Sequence, residues 1–523
     1  MTRKRYFMEL LRALKWMLKG EPSKQLFSTL METFLHWSEP STLSSALEEA
    51  SQTLSTWDDA LRYASYSSLS GQRHPAQALV RSLFIPKEID DEKALSSFLQ
   101  EIAPQITILD VDATSNSTEL LHILARTSGF TSLHSLSLPA QPLDMFSSVG
   151  LSRAPHLQSL SSWHWHVKEN DALQSLMLSG LITKATGLSL TFSRYNELAL
   201  KKLSSIDTPG LLTDIDLYSV NETVLDALLS SGLFQTVKQV AFSFIDFSED
   251  RIDKLFRPAR WAHVEALYFQ KVKHQQQIFT ALASGSELLA LQSVHIDDIM
   301  DSASLDVLSA SHTFSALKRL QLADCSNISK ESMKTFFHSQ HTKALTSLSL
   351  ESVPYRIWNF LKASDASSLS ASLPALKALS ICHHRLEPEE LQLLLRYFGE
   401  HLEVLSLKHC DLSAKSLKEV AKSEHLSHLQ TLALDDNNSP KTGLVHLSRC
   451  RHPLLKLTCA GNPGYEEALE SFVKSVRLSP ASKYHVLSGA THKQLAALAH
   501  SMGILGAEQY PKESLLGMLA TSE

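Results

Sequence analysis

Apolar residues recur in one short pattern from about residue 80 onward: apolar, two residues, apolar, one residue, apolar. Clear copies are Leu133-Leu136-Leu138, Leu317-Leu320-Leu322 and Leu402-Leu405-Leu407. The middle apolar residue falls at positions 83, 109, 136, 163, 188, 215, 240, 267, 294, 320, 348, 379, 405, 432 and 457, and one further step reaches Tyr484. Since residues two apart share a face of a strand, the pattern predicts about sixteen short strands, one per repeat.

The segments between these strands have helical spacing, as in residues 388–397 and 414–421. Each unit therefore has an apolar strand edge and an apolar helix stripe, and it cannot bury both alone. Stacked strands lie about 4.8 Å apart, whereas packed helices need about 8–10 Å. The array is thus expected to curve into an α/β horseshoe, with a parallel concave sheet and convex helices.

The residue five positions after the middle apolar residue carries a family resemblance. It is Cys325, Cys410, Asn437 and Asn462 in some repeats, but Val220, Ile245, Val272 and Ile299 in others. This pattern resembles the leucine-rich repeat family, in which Asn or Cys at this position bonds the backbone that leaves the strand. The resemblance covers about three-quarters of the chain. Steps near 27 with intervening helices look most like the ribonuclease-inhibitor-like class.

Three regions are predicted: an α-helical N-terminal cap over 1–75, a solenoid of about 16 units over 76–488, and a helix pair over 489–523. Residues 1–20 contain six Lys/Arg and one Glu. Their apolar residues recur at helical spacing and are Phe7, Leu10, Leu11, Leu14, Met17 and Leu18. Such a helix would cover the end of the next domain or contact an anionic membrane surface.

The C-terminal segment 491–520 reads as a helix capped by Thr491, a stop at Gly503, a loop, and a helix opened by Pro511. It resembles the helix-extended-loop-helix modules of SAP and Rho N-terminal type at Leu495, Leu498, Ala499, Gly503, Ile504, Lys512, Leu515 and Leu519. Those families often bind nucleic acid, but residues 491–523 hold two lysines against three glutamates. Sealing the last repeat is the other interpretation.

The stretch SSWHWH at 161–166 looks like a ligand site, with two histidines beside two tryptophans. If Leu160, Trp163 and Trp165 fill the apolar positions, both tryptophans are buried, and His164 and His166 face the concave surface. A metal would need a third ligand nearby. The aligned neighbours, Ser137, Pro139, Ser189 and Thr191, are poor ligands, so no metal site is expected.

One zone of the predicted concave face differs from its mostly small neighbours. Aromatic and charged residues concentrate there, the combination that protein interfaces use as anchors. Tyr218 and Tyr268 are expected to contribute most of the binding. The predicted protein-binding residues are Asp214, Asp216, Tyr218, Tyr268, Gln270, His295, Asp297 and Arg319.

Composition and the absence of known motifs disfavour several classes of function. The net charge of -6 argues against a whole-chain nucleic-acid binder, and no apolar run reaches the roughly 18 residues of a membrane span. Five scattered cysteines and no cleavable leader favour the cytoplasm, with export by a non-cleaved signal left open. Because catalytic and nucleotide-binding motifs are missing, the sequence predicts a non-enzymatic protein-binding scaffold or adaptor without cofactors. The alternative is a nucleic-acid-associated adaptor that uses the C-terminal helix pair.

Overall fold

The structure is a computed structural model of the 523-residue chain. It describes residues 11–521, except for 12–13, 16, 19–21, 36, 38–39, 71–73, 87–90, 113–116, 141–149, 152, 158–159, 168–169, 192–194, 285–289, 355–357, 359–372, 505 and 511. Two compact units are present: Met17–Leu255, and Phe256–Glu523 together with Met1–Trp16.

The unit Met17–Leu255 has eight described strands, each parallel to the next along the chain. They are β1 Tyr63–Ser65, β2 Ser82–Ile85, β3 Ile108–Val111, β4 Ser135–Ala140, β5 Ser162–Val167, β6 Gly187–Thr191, β7 Asp214–Tyr218 and β8 Gln239–Ser243. Its described helices are α1 Lys24–Leu35, α2 Pro40–Leu54, α3 Tyr66–Leu69, α4 Glu92–Ile102, α5 Ser117–Arg126, α6 Asn170–Leu178, α7 Glu197–Ser204, α8 Glu222–Ser230 and α9 Glu249–Leu255.

The unit that begins at Phe256 has the same construction, again with eight parallel strands among its described residues. They are β9 Ala266–Gln270, β10 Ser293–Asp301, β11 Arg319–Asn327, β12 Ser347–Glu351, β13 Ala378–Cys382, β14 Val404–Lys408, β15 Thr431–Ala433 and β16 Lys456–Thr458. The helices are α10 Pro258–Trp261, α11 Gln275–Ala283, α12 Ser302–Ala310, α13 Lys330–His338, α14 Pro388–Phe398, α15 Ala414–Lys422, α16 Lys441–Leu447, α17 Tyr465–Val473, α18 Pro480–Ser488, α19 His492–Ser501 and α20 Lys512–Ala520.

The predicted α/β leucine-rich repeat fold is confirmed. Leu267, Leu320 and Leu405 lie on β9, β11 and β14, and each is 1% exposed. Burial alternates along β12 and β14, so one face of each of these strands is buried and the other is more exposed. Assignment to the ribonuclease-inhibitor-like class and the domain boundaries after residues 75 and 488 stay predictions.

The side chain five residues after the middle leucine hydrogen-bonds the backbone, as the repeat pattern predicts. The Oδ1 of Asn437 accepts a hydrogen bond from the backbone N–H of Cys410 at 2.7 Å, and its Nδ2 donates to the carbonyl of Leu407 at 2.5 Å. Asn462 receives the backbone N–H of Asn437 in the same way, at 3.0 Å. These side chains satisfy backbone groups that the strands leave unpaired inside the core.

The residue before that position adopts a left-handed backbone in repeat after repeat. Ser219, Phe244, Lys271, Ser352, His383, His409, Asp436 and Gly461 all have φ between 50° and 72°. Each stands four residues after its middle apolar residue. This conformation is unfavourable for a bulky side chain, so Phe244 is the exceptional member of the series.

Strand β5 corrects the predicted register. Against β4, Trp163 pairs with Leu136 as expected, but against β6 it is Trp165 that pairs with Leu188. The register therefore slips by two residues across this one strand. A slip of two leaves every side chain on its original face, so both tryptophans stay buried, at 3% and 0% exposed. Thr191, predicted to lie beside His166, does not pair with it, because His166 pairs with Ser189.

The two ends of the predicted strand series were wrong. A strand, β1, lies at Tyr63–Ser65 within the region predicted as helical. At the other end, Tyr484 belongs to α18, where Ser479 caps the helix and Pro480 opens it. Proline fits a first helical position because its missing N–H would be unpaired there anyway. Most of the predicted basic N-terminal helix lies outside the described residues.

Candidate functional site

Five of the eight predicted binding residues lie on three neighbouring strands of the unit that begins at Phe256. They form the tyrosine–histidine patch: Tyr268 and Gln270 on β9, His295 and Asp297 on β10, and Arg319 on β11. The register pairs His295 with Tyr268 and Asp297 with Gln270. It places Arg319 opposite Ser293, two residues before His295. The structure thus brings all five together on the exposed strand face.

The patch is internally ordered. The rings of Tyr268 and His295 are 5.7 Å apart between centroids and tilted by 41°. The Nε2 of Gln270 donates a hydrogen bond to the Oδ2 of Asp297 at 2.7 Å. Tyr268, Gln270 and His295 are half-buried. These contacts and the partial burial restrict the three side chains.

Burial sets the charge at the centre of the patch. It lowers the pKa of His295, and the neighbouring Asp297 carboxylate opposes that shift. A lowered pKa favours the neutral imidazole at neutral pH. Such a ring can both donate and accept a hydrogen bond. Asp297 and Arg319 are exposed beside it and supply one charge of each sign.

The other three predicted residues, Asp214, Asp216 and Tyr218, lie on β7 in the unit Met17–Leu255. The Tyr218 ring contacts Phe244 at a centroid distance of 5.0 Å. Phe244 is 41% exposed and was missed by sequence reasoning. The sequence feature that could have identified Phe244 is an aromatic residue at the repeat position with left-handed backbone. The flanking repeats have Ser219 and Lys271 at that position.

The SSWHWH stretch forms the centre of a polar row that crosses β3 to β7 on the sheet face opposite the buried tryptophans. The rings of His164 and His166 are 4.7 Å apart. Nε2 of His166 lies 3.4 Å from the Oγ of Ser137, and Nε2 of His164 lies 3.0 Å from the Oγ of Ser189. The Ser189 hydroxyl donates to the Oδ2 of Asp216 at 2.9 Å.

A carboxylate terminates this row at each end. Burial raises the pKa of Asp110, whose carboxyl group is hydrogen-bonded by Ser137. Asp216 ends the other side, with its Oδ2 3.9 Å from the Nε2 of His164. The predicted burial of the tryptophans and outward direction of the histidines are confirmed. The hydrogen-bonded link from His164 through Ser189 to Asp216 was not predicted.

Within the described part of the chain, no group of three or more His, Cys, Asp or Glu side chains could hold a metal ion. The thiols of Cys325 and Cys410 are buried, and burial raises the pKa of each to about 12. A thiol with so high a pKa is a poor nucleophile at neutral pH. Both cysteines therefore fit the structural role predicted from the repeat pattern.

Hydrogen bonds hold the C-terminal helix pair together and join it to α18. Thr491 and Gln494 form the capping box at the start of α19. His492 Nε2 lies 2.7 Å from the carbonyl of Tyr510, and the Nζ of Lys512 donates to the carbonyl of Ser488 at 3.0 Å. Nucleic-acid binding by this pair stays a prediction. None of the described helices combines the length and hydropathy needed to cross a bilayer.

No protein-family model and no curated protein matches this sequence. Among solved structures, the chain is similar to one in the crystal structure of the Rad7 and Elc1 complex in yeast, with 17% identity and a TM-score of 0.38, over 54% of this chain and 70% of that one. It is also similar to a chain of the TLR13–ssRNA13 complex, with 13% identity and a TM-score of 0.35, over 74% of this chain and 63% of that one. Likeness at this level carries no argument about function, which must come from the residues of this chain.

Proposed function

We propose that this chain is a protein-binding scaffold, and that the tyrosine–histidine patch is one of its contact surfaces. The observation that carries the proposal is the ordered pair of Tyr268 and His295, whose rings lie 5.7 Å apart on the exposed strand face. Tyrosine is enriched among the residues that contribute most to interface energy. It covers a large area and loses little side-chain entropy on binding.

The order within the patch lowers the cost of association. Gln270 is already bonded to Asp297 at 2.7 Å, so a partner need not immobilise either side chain. Ordering a flexible side chain at an interface costs about 0.5–1.5 kcal/mol. Asp297 and Arg319 are exposed at the edges of the patch. Charges at an interface rim influence association rate and partner choice more than affinity.

The charge balance of the patch favours a protein over a nucleic acid. Arg319 and Asp297 contribute one positive and one negative charge. A protein surface that binds nucleic acid uses Lys and Arg side chains to neutralise several phosphates. On β7, the half-buried Asp214 and the exposed Asp216 are both acidic and would repel phosphate. With Tyr218 and Phe244 they form a separate aromatic and acidic surface suited to a basic protein segment.

Affinity capture with the full chain as bait, followed by titration of the purified captured protein, tests the proposal. Tyr268→Ala should weaken that binding by about 2 kcal/mol, or roughly 30-fold, because truncation removes the anchor. Arg319→Gln should instead slow association and reduce its salt dependence. Ser406→Ala, on the exposed face of β14, is the matched control and should bind like the wild type.

Thermal unfolding of each variant separates lost contacts from lost folding. The proposal requires unchanged unfolding temperatures together with weakened binding in Tyr268→Ala. If the double variant Tyr268→Ala/His295→Ala bound every captured protein with wild-type affinity, the patch would not be a contact surface. The separate aromatic and acidic surface on β7 would then be tested by Tyr218→Ala and Phe244→Ser.

A further inference from the structure

The C-terminal repeats carry a charge opposite to that of the whole chain. Residues 437–507 contain eight Lys/Arg and three Glu, an excess of five positive charges, whereas the chain as a whole has a net charge of -6. Asp is missing from this segment. The excess arises from a scarcity of acidic residues, since this segment holds eight of the chain's 49 Lys/Arg but only three of its 55 Asp/Glu.

Two loops at this end of the chain lie side by side. They are residues 448–455, which follow α16, and residues 474–479, which follow α17. The hydroxyl of Ser475 donates to the carbonyl of Ser448 at 2.5 Å, and the hydroxyl of Ser479 donates to the carbonyl of Leu454 at 3.0 Å. We call this pair of loops the basic loop edge.

Cations from several elements meet at this edge. Burial lowers the pKa of His446, and Lys418, Lys422 and Arg449 lower it further. Cations from α15 and from the first loop therefore lie close enough to His446 on α16 to act on the same imidazole. The helix C-termini nearby favour such cations because of the helix dipole.

Arg477 adds a positive charge from the second loop close to the first loop. Burial raises the pKa of the Cys450 thiol to about 11, and the nearby Arg477 guanidinium opposes that shift. In the described part of the chain, no ion pair joins Arg449, Arg451 or Arg477 to a carboxylate. All three are exposed, so their charges remain available to a partner.

Two aliphatic side chains project among these cations. Val476 is 98% exposed, and Leu455 is 55% exposed. They lie on the two hydrogen-bonded loops of the basic loop edge. Val476 stands directly before Arg477, and Leu455 directly before Lys456. Removing such an exposed apolar side chain from water lowers the free energy. The cations at the same site attract negative charge.

We propose that the basic loop edge docks onto an anionic phospholipid bilayer, with Val476 and Leu455 inserted among the headgroups. Cations beside exposed aliphatic residues match both layers of such a surface: anionic headgroups and the acyl boundary beneath them. A nucleic acid is the other polyanion to consider. Its unpaired bases stack on aromatic side chains, whereas the exposed apolar residues at this edge are aliphatic.

Vesicle co-sedimentation of the full chain tests this inference. The protein should bind vesicles of phosphatidylcholine and phosphatidylserine in a 3:1 ratio, and it should not bind pure phosphatidylcholine. R449Q/R451Q/R477Q should lower the partition coefficient at least about tenfold, because each cation near an anionic surface contributes to binding. Val476→Asp should lower it by a similar factor at unchanged lipid composition.

The matched control is Leu211→Asp. Leu211 is also in a loop before a strand and is 57% exposed, but it lies outside the basic loop edge. It should bind vesicles like the wild type, and all variants should unfold at the wild-type temperature. Absent binding to the anionic vesicles, or equal binding by Val476→Asp, overturns the proposal. So does salt-dependent binding to a 30-nucleotide RNA that R449Q/R451Q/R477Q abolishes and Val476→Asp leaves intact, since the surface would then serve nucleic acid.

Discussion

The imidazole of His164 occupies the space that a side chain on Gly187 would need. The two residues are paired across β5 and β6, and a Cβ added to Gly187 would lie 2.1 Å from the Nδ1 of His164. Glycine is thus required here for space rather than for backbone conformation. The absent side chain lets His164 reach Ser189 and, through it, Asp216.

Gly187→Ala should destabilise the protein by about 1–3 kcal/mol, since the added methyl overpacks the contact with His164. In a His164→Ala background the same change should cost much less. The coupling energy from the double-mutant cycle, measured by denaturant unfolding, should exceed about 1 kcal/mol. Gly150→Ala is the control, because its added Cβ would meet its nearest neighbour at 4.0 Å. Additive effects of the two substitutions would contradict the steric explanation.

Buried leucines on the strands should be far more sensitive than the exposed residues beside them. Leu320 and Leu405 are each 1% exposed, so replacement of either by alanine should cost about 2–5 kcal/mol by leaving a cavity. Ser349→Ala, on the exposed face of β12, should change the free energy of unfolding by less than about 0.5 kcal/mol. Chemical denaturation measures the three values. Equal costs would be incompatible with the observed register.

Asn437 should be a strong determinant of stability in the C-terminal repeats. Its side chain is 0% exposed and bonds the backbone of both Cys410 and Leu407. Asn437→Ala would leave a buried N–H and a buried carbonyl without these partners, at a cost of about 2–4 kcal/mol. Thr442→Ala, at an exposed position of α16, is the comparison in the same denaturation series. A loss below about 1 kcal/mol would show that water replaces the amide.

Acid should destabilise the fold through buried histidines. Burial lowers the pKa of both His384 and His452, although their hydrogen bonds to backbone carbonyls oppose the shift. Unfolded histidines titrate near pH 6.5, so between that value and the lower folded pKa the unfolded chain holds more protons. The stabilisation is complete above about pH 6.5 and is lost as the pH falls towards the folded pKa.

The free energy of unfolding should therefore be smaller at pH 5 than at pH 7.5. His452→Gln keeps a donor for the carbonyl of Val420, which His452 contacts at 2.8 Å, and it removes the titration. Its loss of stability over this interval should be smaller than that of the wild type. His425→Gln, at an exposed position, should follow the wild type. An identical acid response in all three proteins would exclude His452 as a contributor.

The repeat period was readable from sequence because it depends on local chemistry. A leucine at position 320 or 405 must be buried whichever strand lies beside it, and the same apolar spacing recurs in each repeat. The family resemblance at Asn437 and Asn462 likewise predicted side chains that bond the backbone, which the structure confirms. Burial of Trp163 and Trp165 followed from two-residue alternation alone.

Pairing between repeats was decided by tertiary structure. Alternation along a strand cannot distinguish a register from one displaced by two residues, so the slip at β5 and the contact between His164 and Gly187 were invisible in the sequence. The short strand at Tyr63–Ser65 exists because β2 pairs with it, and Tyr484 turns helical behind the cap at Ser479 and Pro480. The apolar period of a single repeat thus determines which residues are buried. The packing of neighbouring repeats determines which exposed side chains meet, because those contacts join residues that the local pattern treats as independent.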